Sequence, residues 1–538
     1  MSSHNTQHNE DYRFGSARWA ESDDIARAGM FGNAGLPIGY FDNRLLRFDS
    51  DAPRLTIGGA GSGKLRDILG YALCMPCDMS MAVLDPRGEL WEISWSLLAA
   101  QGIYGYNWDP YKITGLCHSI NPLEHLTPDN PMLFADIVRL VRALLPLSQS
   151  ASGKYFELTA QNVLAAQILH EVLAFGKIDF PRLHELIHII EGDLSAWADV
   201  LESMLGRPER FLRSAASVIM TRQQDAPKEF SAVMGEIYAN MVWLNDDKIR
   251  ACLKAGDGSL FELVDGKRPV RIHFTVPGDL LEFCSPILRV FFDSIMAIKA
   301  RRRAARHILL LIDEAAMLGK NFSALQSAFT YGRGTGLVTW AIFQDLGQIE
   351  ANFGRAGIQT FLGSAAMRQF FGVRDHMTAN IVAQMAGYQT LEYDDEGRQA
   401  EAEHQMMQNI HAIMDGSDPF ESARAFEHHR QSSQRRSKIR RFLIDPAEVM
   451  AMPEDEMIAF ISGKDIPPIR ANKYPYFERL KAGSFYPNSN HPPIDRLRVK
   501  TLWGHKLLRV SRVSVPAKYA HFPQYACGFA LQIEGQIL

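Results

Sequence analysis

Two absences in the sequence exclude whole classes of protein. No apolar run approaches the ~20 residues that a membrane-spanning helix needs, and the densest stretch, VLAAQILHEVLAF at 163–175, contains Gln, His and Glu. That stretch is typical of an amphipathic helix. The N-terminus, MSSHNTQHNEDYRF, also lacks the charged, apolar and small-residue layout of a secretion signal. We therefore predict neither a membrane span nor a signal peptide in this sequence.

Cysteine and net charge are also scarce. The chain of 538 residues has six cysteines, which are scattered along it, and its formal net charge is −4. Scattered cysteines argue against a disulfide framework and favour a reducing compartment. Without a large positive charge, any contact with nucleic acid has to come from a local basic patch.

Short β-rich runs alternate with helical patterns before residue 125 and again after residue 256. Such alternation is typical of βαβ units, and it predicts an α/β fold with a mainly parallel sheet. The predicted strands are RLTIGG (54–59), MAVLD (81–85), IYGYNWD (103–109), VRIHFTV (270–276), HILLLID (307–313), LVTWAIF (337–343) and RQFFGV (368–373).

Between these two stretches the pattern changes. Apolar residues recur at helical spacing through residues 126–255, and no segment there favours a strand. We expect residues 1–50 to be irregular, and the stretch from about residue 390 to be looser, beginning with an acidic loop at 391–403. The predicted division is a leading segment at 1–50, an α/β domain at 51–125 and 256–480, an inserted all-α domain at 126–255, and a tail at 481–538.

A glycine-rich loop lies between the first predicted strand and a predicted helix. It matches the pattern G-x-x-x-x-G-K, whose backbone N–H groups cradle phosphates while the lysine reaches the β- and γ-phosphates. A flexible turn is the plain alternative, which the strand–loop–helix context disfavours. The predicted nucleotide-binding residues are Gly58, Gly59, Ala60, Gly61, Ser62, Gly63, Lys64 and Leu65.

Leu65 departs from this pattern. The position after the lysine normally carries Ser or Thr, whose hydroxyl binds Mg²⁺, and a leucine side chain binds no metal. Either water fills that coordination position, or Ser62 helps, or hydrolysis is impaired. The sequence predicts nucleotide binding more firmly than turnover.

The strand LLLI at 309–312 ends in two carboxylates, Asp313 and Glu314. In nucleotidases of this class, the Asp holds Mg²⁺ through water and the Glu polarises the attacking water as a general base. A core strand followed by a solvated acidic turn is the alternative. With a phosphate loop upstream, the pair predicts an ATP- and Mg²⁺-dependent hydrolase.

Three further side chains are candidates for catalysis. Gln344 follows the strand at 337–343 and could contact the γ-phosphate or orient water. Arg333 and Arg374 could act as arginine fingers that reach a neighbouring subunit's nucleotide. Each of the three could instead be an ordinary solvated side chain, and the sequence leaves both readings open.

With these motifs placed, the sequence resembles the TraG-type coupling ATPases of bacterial conjugation and type IV secretion, over residues ~14–480. The resemblance is collinear along the chain rather than confined to the phosphate loop. It rests on FGSARWA (14–20), VLDPRGE (83–89), Asn121-Pro122, LIDE (311–314) with LGK (318–320), FQDL (343–346), and IPPI (466–469) with KYPY (473–476).

The resemblance implies a RecA-like nucleotide domain with an inserted all-α domain. It also implies a ring-forming ATPase, a hexamer, on the cytoplasmic face of the bacterial inner membrane. Such a ring passes a relaxase–DNA complex or effector proteins to the components of the secretion channel. Relatives often lack Ser or Thr after the lysine, although most carry Gly there. Typical members begin with two membrane-spanning helices, so we expect either a natural variant held at the membrane by partners or a chain from which that segment was removed.

Three functions remain open at this stage. The first is an ATP-driven coupling motor, which Asp313-Glu314 and Gln344 favour. The second is a nucleotide-binding adaptor that docks cargo with weak or no hydrolysis, which Leu65 favours. The third is a DNA-processing helicase unrelated to secretion.

Overall fold

Eleven strands form the central sheet of the chain. The computed structural model describes residues 10–98, 101–147, 154–319, 322–416, 418–433, 436–481, 485, 496–502, 504–522 and 528–533. The strands of this sheet are β1 (Leu36–Phe41), β2 (Arg44–Phe48), β3 (Arg54–Gly58), β4 (Ser80–Asp85), β5 (Tyr104–Trp108), β6 (Val270–Thr275), β7 (Ile308–Ile312), β8 (Leu337–Phe343), β9 (Met367–Phe371), and two late strands, Glu456–Ile461 and Ile469–Asn472. Between β9 and these late strands the chain forms a separate two-stranded hairpin, β10 (Tyr388–Tyr393) and β11 (Ser437–Phe442), so the late strands are β12 and β13.

The order of the sheet is β2-β1-β13-β12-β9-β3-β8-β7-β4-β6-β5. The strands from β9 to β5 run parallel to one another. They comprise every strand that the sequence predicted, and β7 and β8 are buried along their whole length. Parallel strands are covered by helices on both faces, which is why they read as continuous apolar runs. The prediction of an α/β fold with a mainly parallel sheet is confirmed.

The remaining four strands are antiparallel, and the sequence did not reveal them. β12 pairs with β9, β13 with β12, β1 with β13, and β2 with β1. The expectation that residues 1–50 are irregular is therefore wrong for β1 and β2. β1 is a six-residue strand, LPIGYF, that contains a proline and a glycine, both of which weaken a strand signal. Its pairing with β13 also depends on a segment more than 400 residues away in the sequence.

Helices surround the sheet and form the long segment between β5 and β6. Among the described residues of 131–251 the regular structure is entirely helical. The helices are α1 (Ser22–Arg27), α2 (Gly70–Cys74), α3 (Glu89–Leu98), α4 (Leu133–Leu144), α5 (Lys154–Phe175), α6 (Phe180–Gly192), α7 (Leu194–Leu205), α8 (Arg210–Asp225), α9 (Pro227–Asn240), α10 (Asp247–Ala251), α11 (Leu260–Asp265), α12 (Leu281–Arg301), α13 (Ser323–Tyr331), α14 (Leu346–Ser364), α15 (His376–Ala386), α16 (Glu396–Met414), α17 (Pro419–Ser433), α18 (Pro446–Met450) and α19 (Tyr476–Arg479).

The helical segment shares its apolar core with the sheet. Alternate residues of β7 face opposite sides, as a period of two requires: Leu309 and Leu311 join one buried cluster, and Leu310 joins the other. The cluster that contains Leu310 also includes buried residues of α4–α9 such as Ile137 and Leu164. Because one core spans the junction, the boundaries drawn at 126 and 255 stay predictions.

The expected acidic loop at 391–403 is wrong. Its residues form the end of β10 and the start of α16, which packs against α17 in an antiparallel helical pair. The acidic residues obscured a strong helix-forming composition, EGRQAEAEHQMMQNIHAIM. Farther on, the described part of the tail forms a small antiparallel sheet of β14 (Arg496–Thr501), β15 (Gly504–Ser514) and β16 (Phe529–Ile533).

Candidate nucleotide site

The glycine-rich loop joins β3 to a helical turn at the carboxyl edge of the parallel strands. The turn covers Lys64–Leu69 with π-helical spacing and continues into α2. Gly63 has φ 82°, in the left-handed region where a side chain is strained. Gly59 donates its N–H to the Phe371 carbonyl over 3.3 Å, and a Cβ on Gly59 would lie 2.1 Å from the Gly372 carbonyl oxygen. The loop is therefore held tightly against the end of β9.

Three neighbouring strand ends bring the predicted catalytic side chains together. Because β3, β8 and β7 are adjacent and parallel, Lys64, Gln344 and the Asp313-Glu314 pair emerge at one edge. Lys64 Nζ lies 3.9 Å from Glu314 Oε1, and Gln344 Nε2 donates a hydrogen bond of 3.0 Å to the same oxygen. Lys64 Nζ also donates to the Gly58 carbonyl at 3.1 Å.

Burial dominates the electrostatics of Asp313. The pKa of Asp313 is raised to about 7: burial is the largest cause, the neighbouring carboxylates of Glu314 and Asp85 add to it, and the Lys64 ammonium and the Glu314 N–H oppose it. A carboxylate that is half-buried among like charges has a strong demand for a cation. The chemistry of the donor set, carboxylate oxygens beside a lysine, fits Mg²⁺ and a phosphate chain.

Glu314 lies in a strained backbone conformation. Its φ of 54° is in the left-handed region, where residues other than glycine are uncommon, and its N–H donates to Asp313 Oδ1 over 3.0 Å. The Gln344 amide fixes the other end of the side chain. Strain that the surroundings hold in place is typical of functional positions.

The tip of the loop and the position after the lysine differ in exposure. Ala60 and Gly61 are exposed, whereas Leu65 packs its side chain against the apolar cluster beneath the loop. The Ser62 hydroxyl donates to the Gly59 carbonyl over 2.6 Å. Leu65 therefore offers no oxygen to a metal ion, and the Ser62 hydroxyl donates its hydrogen to the loop itself.

The two candidate arginines lie at opposite edges of the sheet. Arg374 follows β9, so it lies at the carboxyl edge beside the glycine-rich loop, and it is exposed. Arg333 precedes β8, so it lies at the amino edge, where its Nε pairs with Asp51 Oδ1 at 2.9 Å. Arg374 therefore lies at the same edge of the sheet as the candidate site, and Arg333 lies at the other edge.

Two buried groups that support the loop were not predicted. Lys473, on the segment after β13, donates to the Ser62 carbonyl and to Asp67 Oδ2, and both of these charged side chains are 1% exposed. The sequence offered one signal, the KYPY segment at 473–476, but no means of placing it under the loop. Lys320, which belongs to the LGK match, lies outside the described residues.

The described residues contain no group of three or more His, Cys, Asp or Glu side chains arranged to hold a metal ion. No helix in the described part of the chain has the length and apolar character to span a bilayer.

Comparison with known proteins identifies the relatives of this chain. Protein VirD4 of Rhizobium radiobacter is 23% identical over 488 residues, which cover 86% of this chain and 64% of VirD4. Conjugal transfer protein TraG of Agrobacterium fabrum (strain C58) is 28% identical over 344 residues, or 62% of this chain and 46% of TraG. The chain thus spans about half to two thirds of the length of these curated relatives.

Solved structures show the same fold. The bacterial conjugative coupling protein TrwBdeltaN70 in its unbound monoclinic form superposes with a TM-score of 0.60 at 16% identity, covering 86% of this chain and 93% of that one. TrwB in complex with a non-hydrolysable ATP analogue gives a TM-score of 0.59 at 16% identity, covering 87% and 95%. The likeness supports a RecA-like α/β unit with a helical domain.

The family itself is shown by a match over most of the chain. Residues 18–501 match the family described as Type IV secretory system Conjugative DNA transfer. The match includes the glycine-rich loop, the Asp313-Glu314 pair and Gln344, the residues that the strand ends bring together. This protein belongs to the Type IV secretory system conjugative DNA transfer family.

Proposed function

We propose that this chain is an ATP-dependent coupling protein of a type IV secretion or conjugation system. The observation that carries the proposal is the convergence of Lys64, Asp313-Glu314 and Gln344 at one edge of the sheet. A structural strand end would not require a lysine, two carboxylates and an amide to emerge from three neighbouring strands at one place, with Lys64 and Gln344 both within 4 Å of Glu314 Oε1. That combination matches the division of labour in a nucleotide hydrolase.

The residues divide the chemistry among themselves. The backbone N–H groups of the loop and the Lys64 ammonium would hold the phosphates, and the Asp313 carboxylate would hold Mg²⁺. Mg²⁺, when bound, neutralises charge on the phosphate oxygens. Glu314 accepts the proton of the attacking water, and the amide of Gln344 keeps its carboxylate in position.

We propose that catalysis is completed between subunits of a homo-oligomeric ring. Arg374 is exposed at the same edge as the loop, where a finger from one subunit can reach the nucleotide of the next. Arg333 lies at the other edge, paired with Asp51, and is the weaker candidate. A hexamer is the assembly that we propose.

Cargo recognition is assigned in this proposal to the helical segment at ~126–255. None of its described residues belongs to the set of side chains that converge at the candidate site. The cargo would be a relaxase–DNA complex or effector proteins, delivered to channel components at the inner membrane, with membrane association through partners. Exchange of the segment for that of a relative should change the cargo and leave basal ATP turnover intact. An unchanged cargo preference would place recognition elsewhere.

A second function, a nucleotide-binding adaptor, is favoured by Leu65. Its side chain packs into the apolar cluster and offers no oxygen to Mg²⁺. In an adaptor the bound nucleotide would hold the chain in a docking-competent state without rapid turnover. The two functions differ in a single measurable quantity, the steady-state rate of ATP hydrolysis.

The deciding experiment measures ATP turnover by the full chain alone and with single- or double-stranded DNA. The coupling motor predicts a rate that DNA increases and that rises more than linearly with protein concentration. The Glu314→Gln variant provides the background rate. Nucleotide binding with a wild-type rate equal to that of Glu314→Gln under all conditions would favour the adaptor instead.

A further inference from the structure

The ammonium group of Lys473 contacts the main chain of the glycine-rich loop. Lys473 Nζ donates to the Ser62 carbonyl at 3.0 Å, to the Glu454 carbonyl at 2.5 Å and to Asp67 Oδ2 at 3.3 Å. It also lies 4.7 Å from the centroid of the Phe371 ring. The side chain is 1% exposed. A lysine is almost never buried to this degree unless its charge has specific partners.

Asp67 does not need Lys473 as its counter-ion. Arg66 already makes a two-pronged pair with this carboxylate, Nε to Oδ1 at 2.6 Å and Nη2 to Oδ2 at 3.0 Å. A bidentate arginine is the stronger partner for a carboxylate. The shorter contacts of Lys473 are to the backbone carbonyls of Ser62 and Glu454, so its principal partners are main-chain groups.

The contact with Ser62 determines the direction of the next N–H group. A trans peptide is planar, with its carbonyl and its N–H pointing in opposite directions. Because Lys473 holds the Ser62 carbonyl, the N–H of Gly63 points to the opposite face of the same peptide. Gly63 immediately precedes Lys64, whose ammonium is predicted to reach the β- and γ-phosphates, so we expect the β-phosphate on that opposite face.

The loop is free to adopt another orientation without this contact. Gly63 has φ 82°, and glycine populates positive and negative φ about equally. A flip of the Ser62–Gly63 peptide would direct a carbonyl oxygen at the phosphates and repel them. An ammonium fixed on the outer side of the peptide prevents that flip.

We propose that Lys473 is a positioning residue for nucleotide binding, which holds the Ser62–Gly63 peptide so that the Gly63 N–H donates to the β-phosphate. The inference rests on the proposed function, since it presupposes that a nucleoside di- or triphosphate binds at the loop. It adds a link between the nucleotide and the antiparallel strands, because Lys473 directly follows β13 and also holds the 454–455 turn.

The test compares fluorescent methylanthraniloyl ADP (mant-ADP) with mant-AMP, which lacks the β-phosphate, on the full chain. Lys473→Met keeps the length of the side chain and removes the charge. The affinity of this variant for mant-ADP should be lower by about tenfold or more, which corresponds to the loss of one charge-assisted hydrogen bond. Affinity for mant-AMP should be nearly unchanged. Lys464→Met is the matched control, because Lys464 Nζ donates to the Ala28 carbonyl and does not contact the loop.

A purely structural lysine would give a different result. A loss of stability alone would lower the affinities for mant-ADP and mant-AMP in the same proportion, or would change neither. Either outcome overturns the inference. If Lys473→Met does not fold, the pair Lys473→Met with Asp67→Asn removes both buried charges and carries the same expectations. If the wild type binds mant-ADP and the variants bind it equally well, only this inference fails. If the wild type binds no nucleotide, the proposed function fails with it.

Discussion

The parallel and antiparallel parts of the central sheet contribute differently to the candidate site. The parallel strands supply the side chains predicted to do chemistry, since β3, β7 and β8 end in the glycine-rich loop, Asp313-Glu314 and Gln344. The antiparallel strands supply none of these, yet Lys473 after β13 contacts the loop from beneath. One part thus presents reactive groups, and the other positions the backbone that binds phosphate.

The two parts also differ in how their buried charges are paired. Near β7, carboxylates crowd together, and the pKa of Asp313 is raised to about 7 mainly by burial. Near β13, the buried Asp67 carboxylate is matched by Arg66 and Lys473. Unmatched charge calls for an external cation, whereas matched charge stabilises the fold.

Lys64→Ala should have the largest effect and should abolish nucleotide binding. The loop N–H groups alone lack the charge to hold a triphosphate. Titration with a fluorescent nucleotide measures the loss, and Lys267→Ala, an exposed lysine at the amino edge of β6, is the matched control. If the affinity of Lys64→Ala for the nucleotide is unchanged, the nucleotide does not bind at the carboxyl edge of the parallel strands.

Arg374→Ala should lower turnover in the assembled protein by roughly 10³-fold or more, the range for an arginine finger. Arg333→Ala should leave turnover nearly intact, because its side chain lies at the amino edge with Asp51. Mixing Arg374→Ala with Lys64→Ala subunits should recover part of the rate, since each supplies what the other lacks. No recovery from the mixture, with specific activity independent of concentration, would contradict a ring with fingers acting between subunits.

Glu314→Gln should bind ATP but hydrolyse it ~10²–10⁴-fold more slowly, the usual loss for one general base. The substitution keeps the size of the side chain and a partner for Gln344, so the fold should persist. Single-turnover kinetics with labelled ATP separate binding from chemistry. A variant that matches the wild-type rate would identify Glu314 as an ordinary surface carboxylate.

Asp313→Asn should show the smallest effect, a pH-dependent change in stability of the nucleotide-free chain. The pKa of Asp313 is higher in the folded chain than in the unfolded chain, so the folded chain binds the proton of Asp313 more tightly. The stability that this proton provides is lost as the pH rises from the ordinary pKa of an aspartate through about 7. Above pH 7 the free energy of unfolding of Asp313→Asn should therefore exceed that of the wild type by at most ~4 kcal/mol, since one pKa unit corresponds to ~1.4 kcal/mol.

Urea denaturation measures the Asp313→Asn difference, which should vanish at acidic pH. Asp67→Asn is the informative contrast, because it removes a matched carboxylate and leaves Lys473 buried, and so should destabilise the chain at neutral pH. A pH-independent difference for Asp313→Asn would mean that its carboxyl group is not perturbed by burial.

The parallel part could be predicted from the sequence because its signals are local. A glycine-rich loop after an apolar strand, or two carboxylates at a strand end, is read from a few consecutive residues. Lys64, Glu314 and Gln344, each proposed from such a local signal, come together because the carboxyl ends of parallel strands share one edge. The same rule separates the arginines, since Arg333 precedes its strand and Arg374 follows one.

The antiparallel part could not be predicted because its signals are long-range. Lys473 and Asp67 are 406 residues apart in sequence, and their contact follows from the pairing of β13 with β1 and β12. A lysine in a short segment with prolines carries no local sign of burial. In α16, charged residues obscure the helix-forming composition, so the sequence predicts a loop where the structure has a helix.

The most direct test of the account is a crystal structure of the full chain with Mg²⁺ and a non-hydrolysable ATP analogue. We predict the phosphates over the loop, with the Gly63 N–H and the Lys64 ammonium on the β-phosphate. Mg²⁺ should lie next to Asp313 through water, and Lys473 should still contact the Ser62 carbonyl. A nucleotide bound elsewhere, or a Ser62 carbonyl turned toward the phosphates, would contradict it.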